Sequence, residues 1–209
     1  VSSGSLEVTL LGQNVTAYKA KDHDGKEWSL AQLIRSIAEI KGIERIRYTT
    51  SHPIDMDEEL ITTHKEVRKL MSYLHLPVQT GSNKILKAMT RKHDSELYLR
   101  VVEELRKACS DIEFSSDFIV GYPGETEEDF EQTLDLVSKV RFSECYSFKY
   151  SPRPGTPASL HADQVPEDVK SRRLHKLQEV LKRQQRAFLD NKIGKTLKVL
   201  VEKKGKYPN

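Results

Sequence analysis

Only two cysteines occur in 209 residues, Cys109 and Cys145, far apart and each in an apolar setting. They cannot build a disulfide framework, and they are too few for a cysteine-rich metal site. The seven histidines are scattered, with no His-x-x-x-His spacing and no acidic partner at ligand spacing, so no zinc site is expected. No apolar run approaches the ~18–20 residues that cross a bilayer. No signal peptide is visible either, which makes the cytoplasm the expected compartment. The net charge is +3, from 34 Lys and Arg against 31 Asp and Glu, too small to establish an anionic partner by itself. Residues 1–5, Val1-Ser2-Ser3-Gly4-Ser5, are polar and lack an initiator methionine, and read as a tag remnant or a cut edge. With 37% hydrophobic and 31% charged residues, the chain can bury one sizeable core, or one domain with a small appendage.

The most informative stretch runs from Phe114 to Phe130. Phe118, Ile119 and Val120 read as a buried strand, Gly121-Tyr122-Pro123-Gly124 as a tight turn, and Thr126 with Asp129 as a capping box. Phe130, Leu134 and Val137 then form an apolar helical stripe. Strand and helix signals alternate on both sides of this unit. Residues 6–12 read as a strand, Ser29 and Gln32 as a second capping box, and Ile46 and Tyr48 as alternate positions of the next strand. A helix is expected from about Asp57, a strand around Tyr73–Leu76, and an N-cap at Ser82. A longer helix follows through Leu97, Val101 and Leu105, and Tyr146, Phe148 and Tyr150 share one side of a further strand.

This alternation predicts an α/β fold of parallel βαβ units, either doubly wound or part of a (β/α) barrel, over residues 6–165. A long basic helix is expected over 166–193, and an alternating strand at Thr196–Val201 opens a separate segment, 194–209. Each strand of the α/β unit ends in small or polar groups, and in both folds those ends share one rim. The rim candidates are Gln13 and Asn14, Ser51 and His52, Gln79 and Ser82, Asp117 and Gly121, and then Lys149 and Arg153.

The Gly-Tyr-Pro-Gly turn is not a phosphate cradle, because Glu125, Glu127, Glu128 and Asp129 already answer the helix dipole. Asp117 suits either a general base or a carboxylate accepting from a ribose diol, with a satisfied strand-end aspartate as the plain alternative. His64, on an apolar helix face, reads as core, His52 as rim, and His75 is left open. The flanks of the long helix carry Lys170, Arg172, Arg173, Lys176, Lys182, Arg183 and Arg186, most simply a solvated surface.

Five ordered segments resemble one family. They are Leu10–Val15, Thr50–Pro53, His75–Asn83, Asp117–Phe130 and Tyr150–Ala158, the last reading Tyr-Ser-Pro-Arg-Pro-Gly-Thr-Pro-Ala. The family is the radical S-adenosylmethionine methylthiotransferases, and the loops at His75–Asn83 and Ser151–Ala158 are similar to its tRNA branch. The resemblance implies a partial (β/α) barrel of the radical S-adenosylmethionine type, with a TRAM-like RNA-binding domain beginning near Gly194. It implies methylthiolation at C2 of isopentenyl-adenosine in tRNA, with S-adenosyl-L-methionine and two 4Fe-4S clusters as cofactors. The family's first barrel strand and its Cys-x-x-x-Cys-x-x-Cys loop have no counterpart in this chain, so no cluster and no activity are expected of the chain alone.

By motif matching, the implied cofactor contacts are Gln13, Asn14, Gln79, Ser82, Asp117, Val120 and Gly121, the last two by close backbone approach to adenosine. Lys149 and Arg153 face the implied RNA entrance, with His52, Arg172 and Arg173 as further substrate-side candidates. No metal ligand is expected. The rival readings are the ribosomal-protein branch of the family, a non-catalytic RNA-binding or scaffold fragment, and a metal-free barrel enzyme for small phosphorylated substrates. Unpaired edges at Leu6–Gly12 and Leu197–Val201 would favour self-association.

Overall fold

The computed structural model describes residues 4–49 and 51–201, so expectations placed on residues 1–3, on Thr50 and on 202–209 lie outside it. Strand β1 (Glu7–Leu10) is followed by a small antiparallel hairpin, β2 (Lys19–Lys21) and β3 (Glu27–Ser29), that leads into helix α1 (Leu30–Ala38). The helix starts where expected, because Ser29 and Gln32 form a reciprocal capping box. Strand β4 (Arg45–Tyr48), helix α2 (Glu58–Glu66) and strand β5 (Tyr73–His75) come next. A short helix α3 (Asn83–Ala88) and a longer α4 (Ser95–Ala108) lead to the central strand β6 (Glu113–Val120). Helix α5 (Glu127–Val140), strand β7 (Glu144–Lys149) and helix α6 (Glu167–Asp190) complete the order.

Strands β1 and β4 pair in parallel, and so do β5, β6 and β7. A parallel bridge from Ile46 to Leu70, with Met71 N–H donating to Ile46 O at 3.0 Å, carries the pairing from β4 to the approach of β5. The five parallel strands therefore lie in chain order without a reversal, which differs from the doubly wound alternative. Helices α1, α2, α4, α5 and α6 touch one another in the same order.

The pleat then decides which side chains meet what. Leu74, Phe114, Phe118 and Val120 are fully buried beneath the helices. Tyr73, His75, Ser115, Asp117, Ile119, Tyr146 and Phe148 share the opposite face by register, and that face is polar and partly open. Phe130, Val137, Leu177 and Leu181 close the helix side of the core, each apolar side chain contributing roughly 1.5–3 kcal/mol by leaving water.

The strand expected at Thr196–Val201 is not formed. Among the described residues no strand pairs with it, and an isolated strand is not stable. The segment instead touches β4, with Arg45 Nη2 donating to Lys198 O at 3.2 Å and Lys198 Nζ 3.1 Å from Glu44. His64 is core as expected, bonded to the Tyr48 hydroxyl at 2.7 Å, and burial holds its ring down to about 4.

Candidate functional site

The ends of four parallel strands meet at a cavity of about 400 Å³. Gln13 and Asn14 arrive from β1, Thr49, Ser51 and His52 from β4, Pro77 and Gln79 from β5, and Asp117 and His75 from the polar face of the sheet. Arg91, on the loop after α3, closes the wall.

The two loops nearest β1 and β4 are tied together. Asn14 Nδ2 donates to Asp55 at 2.7 Å, Thr16 Oγ1 donates to Asn14 Oδ1 at 2.8 Å, and His52 N–H donates to Thr16 Oγ1 at 3.0 Å. His52 in turn accepts from Ile54 N–H through Nδ1 and packs edge-on against His93, and burial lowers the pKa of its imidazole. Gln79 is held by both of its backbone groups, donating to Asp117 O at 3.0 Å and accepting from Ile119 N–H at 2.9 Å. Its φ of 75° is left-handed, a conformation costing a non-glycine residue roughly 1–2 kcal/mol, and the loop is bolted to α5 to hold it. At Gly81 a Cβ would fall 2.4 Å from Gln132 O, so only glycine permits this approach. Thr133 accepts Gly81 N–H at 3.0 Å, and Ser82 Oγ donates to Asp129 at 2.7 Å.

Several expected contacts lie elsewhere. Ser82 is fully buried as the cap of α3 and partner of Asp129, so its hydroxyl does not reach the rim. Val120 lies on the helix side of β6, since residues three apart on a strand face opposite ways, and its carbonyl accepts from Tyr150 N–H. Gly121 is required by its packing against α6. Its φ is +73°, a Cβ there would fall 2.3 Å from Lys170 Cγ, and its N–H is taken by the Glu125 carboxylate. Arg173 is buried and bonded to Glu125 and Glu127, so it presents no charge at the surface. Arg172 stays exposed on α6, 3.9 Å from Glu127.

Lys149 and Arg153 line a second, more apolar hollow of about 640 Å³ together with Met89, Ile119, Tyr122 and Phe148. Lys149 also pairs with Glu167 and lies 3.3 Å from Ser171 Oγ. Arg91 borders this hollow as well as the cavity, and no ion pair involving it occurs among the described residues. Burial lowers its pKa from the ordinary guanidinium value, with Asp117 opposing. The sequence reading missed Arg91, whose only signal was a basic run, Arg91-Lys92-His93, directly after a short helix. Ser51 was named only as rim, yet its Oγ is buried on the cavity wall with no partner among the described residues.

The cysteines do not suit a cluster. Cys109 closes α4 beside Ser72 and Asp111, and burial raises its pKa. Cys145 sits on β7, its thiol pushed up to about 12 by burial. Neither lines the cavity.

A rim of strand-end polar groups and an arginine without an ion pair suits a polar, charged ligand. The profile of the Radical SAM superfamily matches residues 1–137. The chain belongs to that superfamily. Over 207 residues it is 59% identical to the tRNA-2-methylthio-N(6)-dimethylallyladenosine synthases of Rickettsia canadensis and Rickettsia bellii, and 58% identical to that of Rickettsia rickettsii. Each alignment covers 99% of this chain and 46% of the relative, so the radical SAM chain spans about half the length of the curated relatives it matches. The resemblance read from its five segments is thereby borne out.

Two solved structures share the fold of this radical SAM domain. The coproporphyrinogen III oxidase of Escherichia coli, a radical SAM enzyme, superimposes with a TM-score of 0.52 at 17% identity over 78% of this chain and 36% of that one. The archaeal Elp3 of Methanocaldococcus infernus gives 0.51 at 15% identity over 86% and 44%. Among the described residues no helix is long and apolar enough to cross a membrane.

Proposed function

We propose that the whole protein is a tRNA methylthiotransferase acting at C2 of N6-dimethylallyl-adenosine, and that the strand-end cavity holds S-adenosyl-L-methionine. One observation supports this most: four strand ends deliver amide, hydroxyl and carboxylate groups to one cavity, and Arg91 faces it without an ion pair. S-adenosylmethionine offers a carboxylate for Arg91, a ribose diol for Asp117 and Gln79, and a methionine end for Gln13 and Asn14. The buried, unpartnered Ser51 Oγ fits the same view, since orphaned buried hydroxyls are rare unless a ligand completes them.

Ile119 shares the face of Asp117 and offers an apolar contact to adenine, beside the close backbone approach expected of Val120 and Gly121. Lys149, Arg153 and His52 stand where RNA would approach, Arg172 adds a charge on α6, and residues 194–209 begin a TRAM-like unit. The domain closes as a (β/α) barrel segment around this site. Bound S-adenosylmethionine and iron–sulfur clusters supply radical chemistry at the adenine carbon, with the cluster thiolates provided from outside this chain, because Cys109 and Cys145 are misplaced and un-ionised. The role of these residues is to bind and orient, while the cavity shields the reaction.

The test is nucleoside mass spectrometry after incubating the whole protein, reconstituted with iron and sulfide, with tRNA carrying dimethylallyl-adenosine. The expected result is the 2-methylthio nucleoside. Modification of a ribosomal-protein peptide instead would move the protein to the other branch, and no modification of either would favour a non-catalytic binding role.

A further inference from the structure

The polar face of the sheet carries a chain of side chains that ends at Asp117. The Tyr73 hydroxyl donates to Ser115 Oγ at 2.7 Å, with Glu144 Oε2 more distant at 3.4 Å. Ser115 Oγ lies 2.8 Å from His75 Nδ1, and His75 Nε2 faces Asp117 Oδ2 at 3.4 Å. Register places these groups together, since His75 pairs with Ser115 on the neighbouring strand and Asp117 follows two residues on, on the same face.

Ser115 is fully buried, so its hydroxyl must use both of its capacities within this set. It accepts from Tyr73, which leaves its own proton for His75 Nδ1. The imidazole then carries its proton on Nε2, pointing at Asp117. With Tyr73 donating to Ser115, the Nε2–H tautomer is the one that lets Ser115 give its own proton to Nδ1. Asp117 Oδ2 thus has this N–H group 3.4 Å away, and Asp117 itself lines the cavity.

We infer that His75, set by Ser115 and Tyr73, is a positioning residue that orients the Asp117 carboxylate to accept from a vicinal diol. The site therefore selects ribose over deoxyribose ligands. This inference rests on the reading of Asp117 as a ribose contact, and the test separates the two. The proton position is read directly by two-bond 1H–15N correlation of the His75 ring in this chain. The expected spectrum shows Nε2–H, shifting to a tautomer mixture in Ser115→Ala. A pure Nδ1–H ring in the native protein overturns the relay.

Ligand selection is read by calorimetry on the whole protein, with S-adenosyl-L-homocysteine and its 2′-deoxy counterpart as probes. The native protein should prefer the ribose form roughly 10- to 100-fold, the scale of a hydrogen bond to a charged group. Asp117→Ala and His75→Asn should both lose most of that preference. His75→Gln should keep it, since the glutamine amide nitrogen replaces Nε2. If Asp117→Ala leaves the preference intact, the ribose reading itself fails. If Asp117→Ala abolishes it while His75→Asn does not, the positioning role of His75 is refuted and the ribose contact stands.

Discussion

Replacing Asp129 with alanine should destabilise the protein by about 3 kcal/mol, because four donors converge on that carboxylate. Ser82 Oγ at 2.7 Å, Lys84 Nζ at 2.8 Å, Thr126 Oγ1 at 2.8 Å and Thr126 N–H at 2.9 Å all point to it. Burial alone would raise its pKa, but the bonds from Lys84, Thr126 and Ser82 outweigh burial and hold it at about 2. The reciprocal cap of α5 is worth about 1 kcal/mol. The buried charge-assisted bond to Ser82 is worth roughly 1.5–3 kcal/mol, and the exposed end of Lys84 adds little.

Linkage gives a similar figure. A carboxyl lowered from 3.8 to about 2 contributes roughly 2 kcal/mol above pH 4. Because the folded value is depressed, that contribution is complete above the unfolded value and is lost as pH falls through about 2. Urea denaturation at pH 7 and at pH 2 reads both effects, as would a melting temperature lowered by roughly 6–12 °C at neutral pH. A loss under 1 kcal/mol at pH 7, or an equal loss at both pH values, would refute the reasoning. Since Ser82 and Thr133 anchor the loop carrying Gln79, the variant should also weaken ligand binding in the whole protein.

Two further outcomes follow from buried groups. His64 and His93 are both held neutral by burial, each near 4 against 6.5 in the unfolded chain. Their stabilisation is complete above pH 6.5 and is lost as pH falls through 4, so stability should decline across that window, and His64→Gln should flatten the decline in urea titrations. Arg173→Ala should cost about 1–3 kcal/mol, measured by thermal unfolding, because the buried Glu125, its pKa already pushed up to about 7 by burial, loses its partner and takes up a proton. Glu125→Gln on that background should recover part of the loss, whereas an unchanged melting temperature in Arg173→Ala would mean the pair is idle.

Local signals carried much of the fold. Two reciprocal caps, Ser29 with Gln32 and Thr126 with Asp129, stand where their spacing put them, because capping is settled within four residues. The strand at Ile46 was legible from alternation with Arg45 and Arg47, and that at Phe118 from an apolar run ending in a Gly-Tyr-Pro-Gly turn. The hairpin of Lys19–Lys21 and Glu27–Ser29 was not, since three-residue strands carry too little periodicity to read.

In the site, Gln13, Asn14, His52, Gln79 and Asp117 converge because strand ends share a rim. The side chain of Val120 lies on the helix side of β6, opposite Asp117, as strand parity already implied. Ser82, Gly121 and Arg173 could not be placed from sequence, because their partners, Asp129, Lys170 and Glu125, lie on other elements. Arg91 escaped notice for the same reason: a lone arginine after a helix gains meaning only when four strands bring polar groups to the same cavity.

The central claim is that this cavity receives S-adenosyl-L-methionine, and equilibrium binding to the whole protein tests it most directly. Arg91→Ala and Asp117→Ala should each weaken binding by roughly 10- to 100-fold, the scale of a lost charge-assisted hydrogen bond. Iron content and the far-ultraviolet spectrum should stay unchanged. Native affinity in both variants would contradict the account and place the cofactor elsewhere.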